Sequence, residues 1–232
     1  MGKSLTVTED DSGIFFHNTS EEEFKSVWYD YFDLALDYSD VKRELVQSYS
    51  GLSDVIEYSP GIRILKQDSW EALCSFIISQ NNNIPRIMGI VDRLCTLCGE
   101  LNADGSYNFP TADVLANMSI DNLAPIRSGF RAKYLIDAAQ KVSMGVVDLD
   151  RVANEDIEEA RKELMLITGV GPKVAECTLL YGMHRLEAFP IDVWMKRAMS
   201  TLFNGVDPKS FGKYAGIAQQ YIFHYARQSG KV

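Results

Sequence analysis

The chain has 232 residues, 46% hydrophobic and 24% charged, the make-up of an ordinary globular protein, which excludes collagen-like, disordered and disulfide-scaffold classes. No run of about 18 apolar residues occurs, which excludes a spanning helix, and the opening MGKSLTVTEDDSG lacks the apolar core of a secretion signal. A cytoplasmic, prokaryotic-type protein with no membrane partner is expected. The net charge of −9 argues at first sight against a nucleic-acid partner. Its distribution reverses that: residues 1–60 hold 4 basic and 13 acidic side chains, whereas 61–232 hold 19 of each. From Leu164 onward, 8 basic residues face 4 acidic ones, so this part can present a basic face.

In chain order, Lys3–Thr8 and Gly13–Phe16 are short β-type runs around Glu9-Asp10-Asp11-Ser12 and predict a hairpin over 1–18. The pattern is helical thereafter. Thr19-Ser20-Glu21-Glu22-Glu23 starts a helix with acidic residues in its first turn, and a second fits Tyr38–Tyr49. Asp68-Ser69-Trp70-Glu71 is a capping box that opens the apolar helix ALCSFIIS, which stops at Asn81-Asn82-Asn83. Another helix runs from about Pro85 to Cys98, followed by the loop LNADGSYNFPT and short helices to Met144. Ile157–Ile167 and Pro172–Met183 are helical on either side of Gly169-Val170-Gly171. Asp192 caps Val193–Phe203, and Asp207-Pro208 opens a last helix to about Gln228. The fold class is mostly α, with a small N-terminal antiparallel β element.

Cys95 and Cys98 form a C-x-x-C inside an amphipathic helix, with no second pair nearby. A zinc site needs about four ligands, so reduced thiols are expected, with no metal and no cofactor.

The informative stretch is Leu164–Ala175. Two helices meet through a hairpin whose glycines, Gly169 and Gly171, permit positive φ and close approach of a ligand to the backbone. The N–H groups opening the second helix then form an anion site suited to a DNA phosphate. This is a helix-hairpin-helix at about 157–183. Lys173 lies in the first turn of the second helix, where the positive end of the helix dipole favours its neutral, nucleophilic form. The plainer alternative is a phosphate contact. Asp192, nineteen residues later, is by itself a helix cap, and beside a nucleophilic Lys its carboxylate gains a second use. It can stabilise positive charge on a sugar ring as a glycosidic bond breaks.

Gly169-Val-Gly171-Pro-Lys173-Val-Ala followed by Pro190-Ile-Asp192-Val resembles the helix-hairpin-helix DNA glycosylase superfamily. Within it, Gln67-Asp68, Ser75-Phe76-Ile77, Asn81-Asn82-Asn83-Ile84, Arg86, Gly129–Tyr134 and Tyr214–Gln219 resemble the 8-oxoguanine DNA glycosylases. The resemblance spans roughly Glu21 to Gln228. It implies a base-excision-repair enzyme acting on damaged double-stranded DNA, with 8-oxoguanine opposite cytosine as substrate and an abasic-site lyase step. By position, Lys173 is the implied Schiff-base nucleophile and Asp192 its acidic partner. Asn81 is implied to fill the gap left by the extruded base, Phe130 to be the wedge, and Arg86 and Arg131 to bond the orphaned cytosine. Gln219 is implied to read the flipped base's Watson–Crick edge, between Phe223 and Cys177. Lys173 and Cys177 are four residues apart, as are Gln219 and Phe223, so each pair shares a helix face.

Two positions depart from the family pattern: Trp194 stands where a His is common, and Phe130 where Tyr is common. The family also carries a larger N-terminal β domain, one loop of which senses N7–H of the oxidised base. The hairpin over 1–18 is expected to be its shortened remnant, ahead of a helical region over 19–232. An exposed sheet edge there predicts self-association through strand pairing. Two alternatives stay open: a glycosylase of other base specificity, for thymine glycol or an alkylated base, and a DNA-binding module that does not catalyse.

Overall fold

The computed structural model describes residues 4–230. Met1, Gly2 and Lys3, part of the hairpin predicted over 1–18, lie outside that range. β1 (Thr6–Asp10) and β2 (Gly13–His17) pair antiparallel with Thr8 opposite Phe15. The turn is tighter than predicted because Glu9 and Asp10 extend the strand. Asp10 Oδ1 accepts both the N–H (2.7 Å) and the O–H (2.6 Å) of Ser12, which closes the chain in two residues. Alternation points Phe16 toward the helices, where its ring lies 4.7 Å from Phe24 and 5.4 Å from Phe32.

Helix α1 (Glu21–Glu23) and helix α2 (Tyr29–Tyr31) are the two ends of one helical rod joined by a π-helical turn, Phe24–Trp28. Ser20 caps it, accepting Glu23 N–H at 3.1 Å, within the predicted helix start. α3 (Tyr38–Ser48) is capped by Asp37, and a short α4 (Ser53–Tyr58), not anticipated from the pattern, follows.

α5 (Ser69–Ser79) is the middle of the molecule. Ala72, Leu73, Cys74, Ile77 and Ile78 are fully buried on it, which is what an almost continuously apolar helix requires. Asp68 opens α5, accepting Glu71 N–H at 2.9 Å. α6 (Ile84–Cys98) is capped by Asn83, so the Asn run ends one helix and starts the next. α7 (Ala112–Ala116), α8 (Arg131–Ser143) and α9 (Leu149–Asn154) lead to α10 (Ile157–Leu164) and α11 (Pro172–Cys177), the helix-hairpin-helix.

α11 continues as a π turn, Thr178–Gly182, that packs on α5. α12 (Val193–Thr201) follows Asp192. The predicted single helix from Asp207 to Gln228 is two pieces: a 3₁₀ segment, Pro208–Tyr214, and α13 (Ala215–Gln228). Gly212, at φ +65°, kinks the 3₁₀ segment from within, a conformation that no helix admits, and Tyr214 (φ −110°, ψ 23°) leads into α13.

Candidate active site

The hairpin between α10 and α11 turns on Gly169, at φ +84°, where a Cβ would stand 2.5 Å from the Tyr134 ring. Both the backbone and the neighbour demand glycine. Gly171 differs from the expectation of positive φ at both glycines. It is extended (φ −101°), caps α11 without a side chain and has nothing within 4 Å of its would-be Cβ. The backbone entering α11 therefore has open space beside Gly171. α8 braces the hairpin: Asp137 accepts Thr168 N–H at 2.6 Å, and Lys141 bridges to Asp137 at 2.8 Å and to the Leu166 carbonyl at 2.6 Å. Burial pushes the Asp137 carboxyl up, but the bonds from Lys141 and Thr168 outweigh it, and the net shift is downward.

Lys173 is half-buried one residue into α11, its Nζ 5.2 Å from the centre of the Phe76 ring on α5. One turn on, Cys177 is 4% exposed, and its thiol is pushed up to about 11. Burial does most of that; the Lys173 ammonium opposes it, while Asp192 and Glu176 add to it. Lys173 and Asp192 both lie close enough to Cys177 for their charges to act on its thiol. Asp192 is indeed a cap, with Oδ1 accepting Met195 N–H at 2.8 Å. Glu176 was not anticipated. It is buried, accepting from Arg161 Nε and from Phe189 N–H (2.7 Å), and so ties α10, α11 and the loop leading to Asp192 together.

Gln219 is 4% exposed on α13. It reaches this locality because Gly216 lets α13 touch the π turn: a Cβ there would lie 2.4 Å from Leu180 Cδ1. Gln219 Oε1 accepts from Gln220 Nε2 at 2.7 Å, and Gln220 Nε2 also donates to the Tyr181 hydroxyl. Tyr181 stacks on Phe76 with ring centres 5.3 Å apart and an interplanar angle of 28°. Phe223 is half-buried one turn beyond Gln219, with Arg227 over its ring at 5.5 Å. Phe76, Tyr181 and Gln220 were given no role by the sequence, and they physically join the Lys173 end to the Gln219 end.

Asn81, Arg86, Phe130 and Arg131, implied for the gap, the orphaned cytosine and the wedge, lie near one another beyond the end of α5. Phe130 is 48% exposed, edge-on to Tyr134 at 5.7 Å and beneath the Arg131 guanidinium at 4.4 Å. Arg131 itself is 2% exposed. Its Nε and Nη2 donate to the Gln80 carbonyl, Nη2 to the Asn81 carbonyl (3.0 Å) and Nη1 to the Ser128 carbonyl (3.1 Å). Of five guanidinium N–H groups, one on Nη1 is left over. Arg131 thus holds Asn81, which sits exposed at φ +49°. Arg86 is exposed with its guanidinium close enough to Arg131 to depress that residue's pKa, after the larger effect of burial.

A family model described as HhH-GPD superfamily base excision DNA repair protein matches residues 74–211, and one described as the 8-oxoguanine DNA glycosylase N-terminal domain matches residues 1–73. The chain belongs to the helix-hairpin-helix superfamily of base excision DNA repair proteins. A Methanothermobacter thermautotrophicus protein named probable N-glycosylase/DNA lyase is 30% identical over 86% of this chain and 73% of its own length. The Saccharomyces cerevisiae N-glycosylase/DNA lyase is 38% identical over 59% of this chain, which spans 40% of the yeast protein. The solved Clostridium acetobutylicum 8-oxoguanine glycosylase/lyase, bound to duplex DNA with cytosine opposite 8-oxoguanine, superposes with a TM-score of 0.88 and 38% identity. That superposition covers 98% of this chain and 83% of the relative. The mostly helical fold with a small antiparallel sheet is the one the sequence predicted.

Cys95 and Cys98 are half-buried free thiols, and burial pushes both upward, Cys95 to about 11.

Proposed function

We propose that this protein is a DNA glycosylase that removes 8-oxoguanine opposite cytosine and then nicks the strand as an abasic-site lyase. The observation that carries this is Lys173 in the first turn of α11, directly behind the hairpin, with its Nζ 5.2 Å from the Phe76 ring and Cys177 one turn on along the same helix. The α11 N–H groups and the space beside Gly171 suit a DNA phosphate. The neutral amine of Lys173 attacks C1′ of the flipped nucleotide. The glycosidic bond breaks with its electron pair leaving on the base, which takes up a proton. Opening of the sugar ring then forms the imine, and loss of a C2′ proton expels the 3′ phosphate. The cap occupies Asp192 Oδ1 and leaves Oδ2 to balance positive charge developing on the sugar. Stacking on Phe223 and edge contacts to Gln219 select the base. Because Cys177 and Gln219 are each 4% exposed, the base enters by parting the wall around them.

Phe130 wedges the duplex, Asn81 fills the gap left by the flipped base, and Arg86 offers the orphaned cytosine an exposed donor fork. Arg131 adds its one unused N–H while holding Asn81 in place.

Borohydride trapping on an 8-oxoguanine duplex tests the assignment. Wild type should give a covalent adduct and Lys173→Gln none, while Asp192→Asn binds DNA but excises slowly. An undiminished adduct from Lys173→Gln would overturn it. We also propose that the hairpin pairs with a second copy of the chain. Val7, Ile14 and Phe15 are exposed there, and a two-stranded sheet has two open edges. Sedimentation as a monomer at all concentrations refutes that.

A further inference from the structure

We propose that the ring of Phe76 is an electrostatic partner of the reacting nitrogen, stabilising the positive charge that Lys173 Nζ acquires when it bonds to the sugar. The proposal rests on the reading of Lys173 as the nucleophile.

The charge follows from the chemistry. A neutral amine attacking C1′ gives its lone pair to the new N–C1′ bond, while the electron pair of the glycosidic bond leaves on the base. The nitrogen is then an ammonium. It passes a proton to the departing base and recovers its lone pair. That pair closes the N=C1′ bond as the C1′–O4′ bond breaks, with O4′ keeping the released pair and taking up a proton. The nitrogen of the resulting iminium is cationic again. Twice along the path a half-buried nitrogen that began neutral carries a full charge, which is costly unless something nearby offsets it.

The polar groups around Lys173 are mostly neutral or committed elsewhere. One turn along α11, burial pushes the Cys177 thiol up to about 11, so it stays protonated. Burial likewise drives the Tyr181 phenol far above its ordinary range, with Cys177 and Asp192 adding to the effect. Glu176 is held by Arg161 and the Phe189 N–H, and Asp192 has given one carboxylate oxygen to its cap. Glu158, Arg161, Glu187, Asp207 and Lys209 line the same cavity as Lys173. Of these, Glu158 is paired with Arg161 and Glu187 with Arg185.

Phe76 offers something different. The negative face of a phenyl ring attracts a cation, most strongly where water is excluded, and Nζ lies over the Phe76 ring, 5.2 Å from its centre. The ring is braced in that position. It stacks on Tyr181 with centres 5.3 Å apart and an interplanar angle of 28°. The π turn that carries Tyr181 is pressed against α5, so that a Cβ at Gly182 would lie 2.9 Å from Ala72 Cβ. The contact that holds the nitrogen at rest is thus in place for the cation it becomes.

Fluorination tests this with little change of shape, because each fluorine withdraws electron density from the ring face. Mono-, di- and pentafluorophenylalanine are placed at position 76 of the full chain. Single-turnover excision of 8-oxoguanine opposite cytosine is then followed across pH, with DNA affinity measured alongside. At the alkaline plateau of the rate, where the resting amine is neutral, the logarithm of the rate should fall steadily with fluorine number. The pentafluoro ring should cost about fivefold or more, the worth of a cation–π contact between its exposed and desolvated limits. On the acid side the resting nitrogen is itself an ammonium, so the ring favours start and intermediate alike and the effect should shrink. DNA affinity should not change.

A ring that served only as packing would behave otherwise. An electron-poor ring stacks more tightly on the electron-rich ring of Tyr181, so rates would hold or rise with fluorination. A plateau rate that ignores fluorination, or the same fractional loss at every pH, overturns the proposal. Lys173→Gln separates the two readings. If it abolishes the borohydride adduct while the fluorinated chains excise as wild type does, only the role of Phe76 fails. If Lys173→Gln still gives the adduct, the reading of Lys173 as the nucleophile fails, and this proposal with it.

Discussion

Replacing each hairpin glycine by alanine should injure the protein in different ways. At Gly169 the backbone is at φ +84° and the added Cβ would lie 2.5 Å from Tyr134 Cδ2. Holding a non-glycine residue in the left-handed region costs about 1–2 kcal/mol. Forcing a carbon into an occupied site adds roughly 1–3 kcal/mol. Tyr134 cannot simply swing away, because its ring is packed edge-on to Phe130 and lies under Lys133 Nζ at 5.2 Å. The sum is about 2–5 kcal/mol, and for a chain of this size each kcal/mol moves Tm by roughly 2–4 °C. Gly169→Ala should therefore melt on the order of 10 °C below wild type. Gly171→Ala meets nothing within 4 Å and keeps an ordinary extended φ. It loses only the modest advantage of glycine over alanine as a cap, about 0.5–1 kcal/mol, yet puts a methyl where a phosphate approaches. Its Tm should fall by a few degrees at most while DNA affinity drops. Differential scanning calorimetry and DNA titration at fixed salt read both. A Gly169→Ala melt within 2 °C or so of wild type, or equal melting losses in the two variants, would refute the reasoning.

Asp137 has a depressed pKa in the folded protein, so the stability it adds is complete above its unfolded pKa of about 4 and is lost as pH falls through the lower folded value. The Tm gap between wild type and Asp137→Asn should accordingly close in acid titrations below about pH 4; a gap constant with pH contradicts the assignment. Arg86→Ala, an exposed change, should leave stability within about 0.5 kcal/mol but flatten the preference for cytosine in excision assays opposite each base. Arg131→Lys should do more, since one ammonium cannot serve the Gln80, Asn81 and Ser128 carbonyls together, and each buried acceptor left unpaired costs roughly 1–3 kcal/mol. Equal stability of the Arg86 and Arg131 variants by chemical denaturation would count against the clamp. Glu176→Ala should destabilise by about 3 kcal/mol, the low end for a broken buried pair, because Glu158 still partners Arg161; an unchanged denaturation midpoint would show the tie to be idle.

What was legible in the sequence is what is decided within one or two helical turns. Asp68 and Asp192 cap their helices because a short polar side chain meets an N–H three residues on, a relation set by the local backbone. The apolar run of α5 announces a central helix for the same reason, and Lys173 and Cys177 share a face because of helical pitch alone. Local information also misled where two local signals competed. The run after Asp207 is helical in pattern, but Gly212 takes a left-handed φ and kinks it.

Only the tertiary structure decided which distant groups meet. Arg131 could be read from its type as a surface donor, but packing closes α8 onto the end of α5 and turns it inward onto Gln80 and Asn81, some 50 residues earlier. Glu176 finds Arg161 across the hairpin and then the Phe189 N–H, a triple meeting with no sequence period. Tyr181 and Gln220 are 39 residues apart, on helices whose separation depends on one missing side chain, at Gly216. A hydrogen bond needs its partners within about 3 Å, and that tolerance is set by how helices pack. No propensity, cap or spacing carries it.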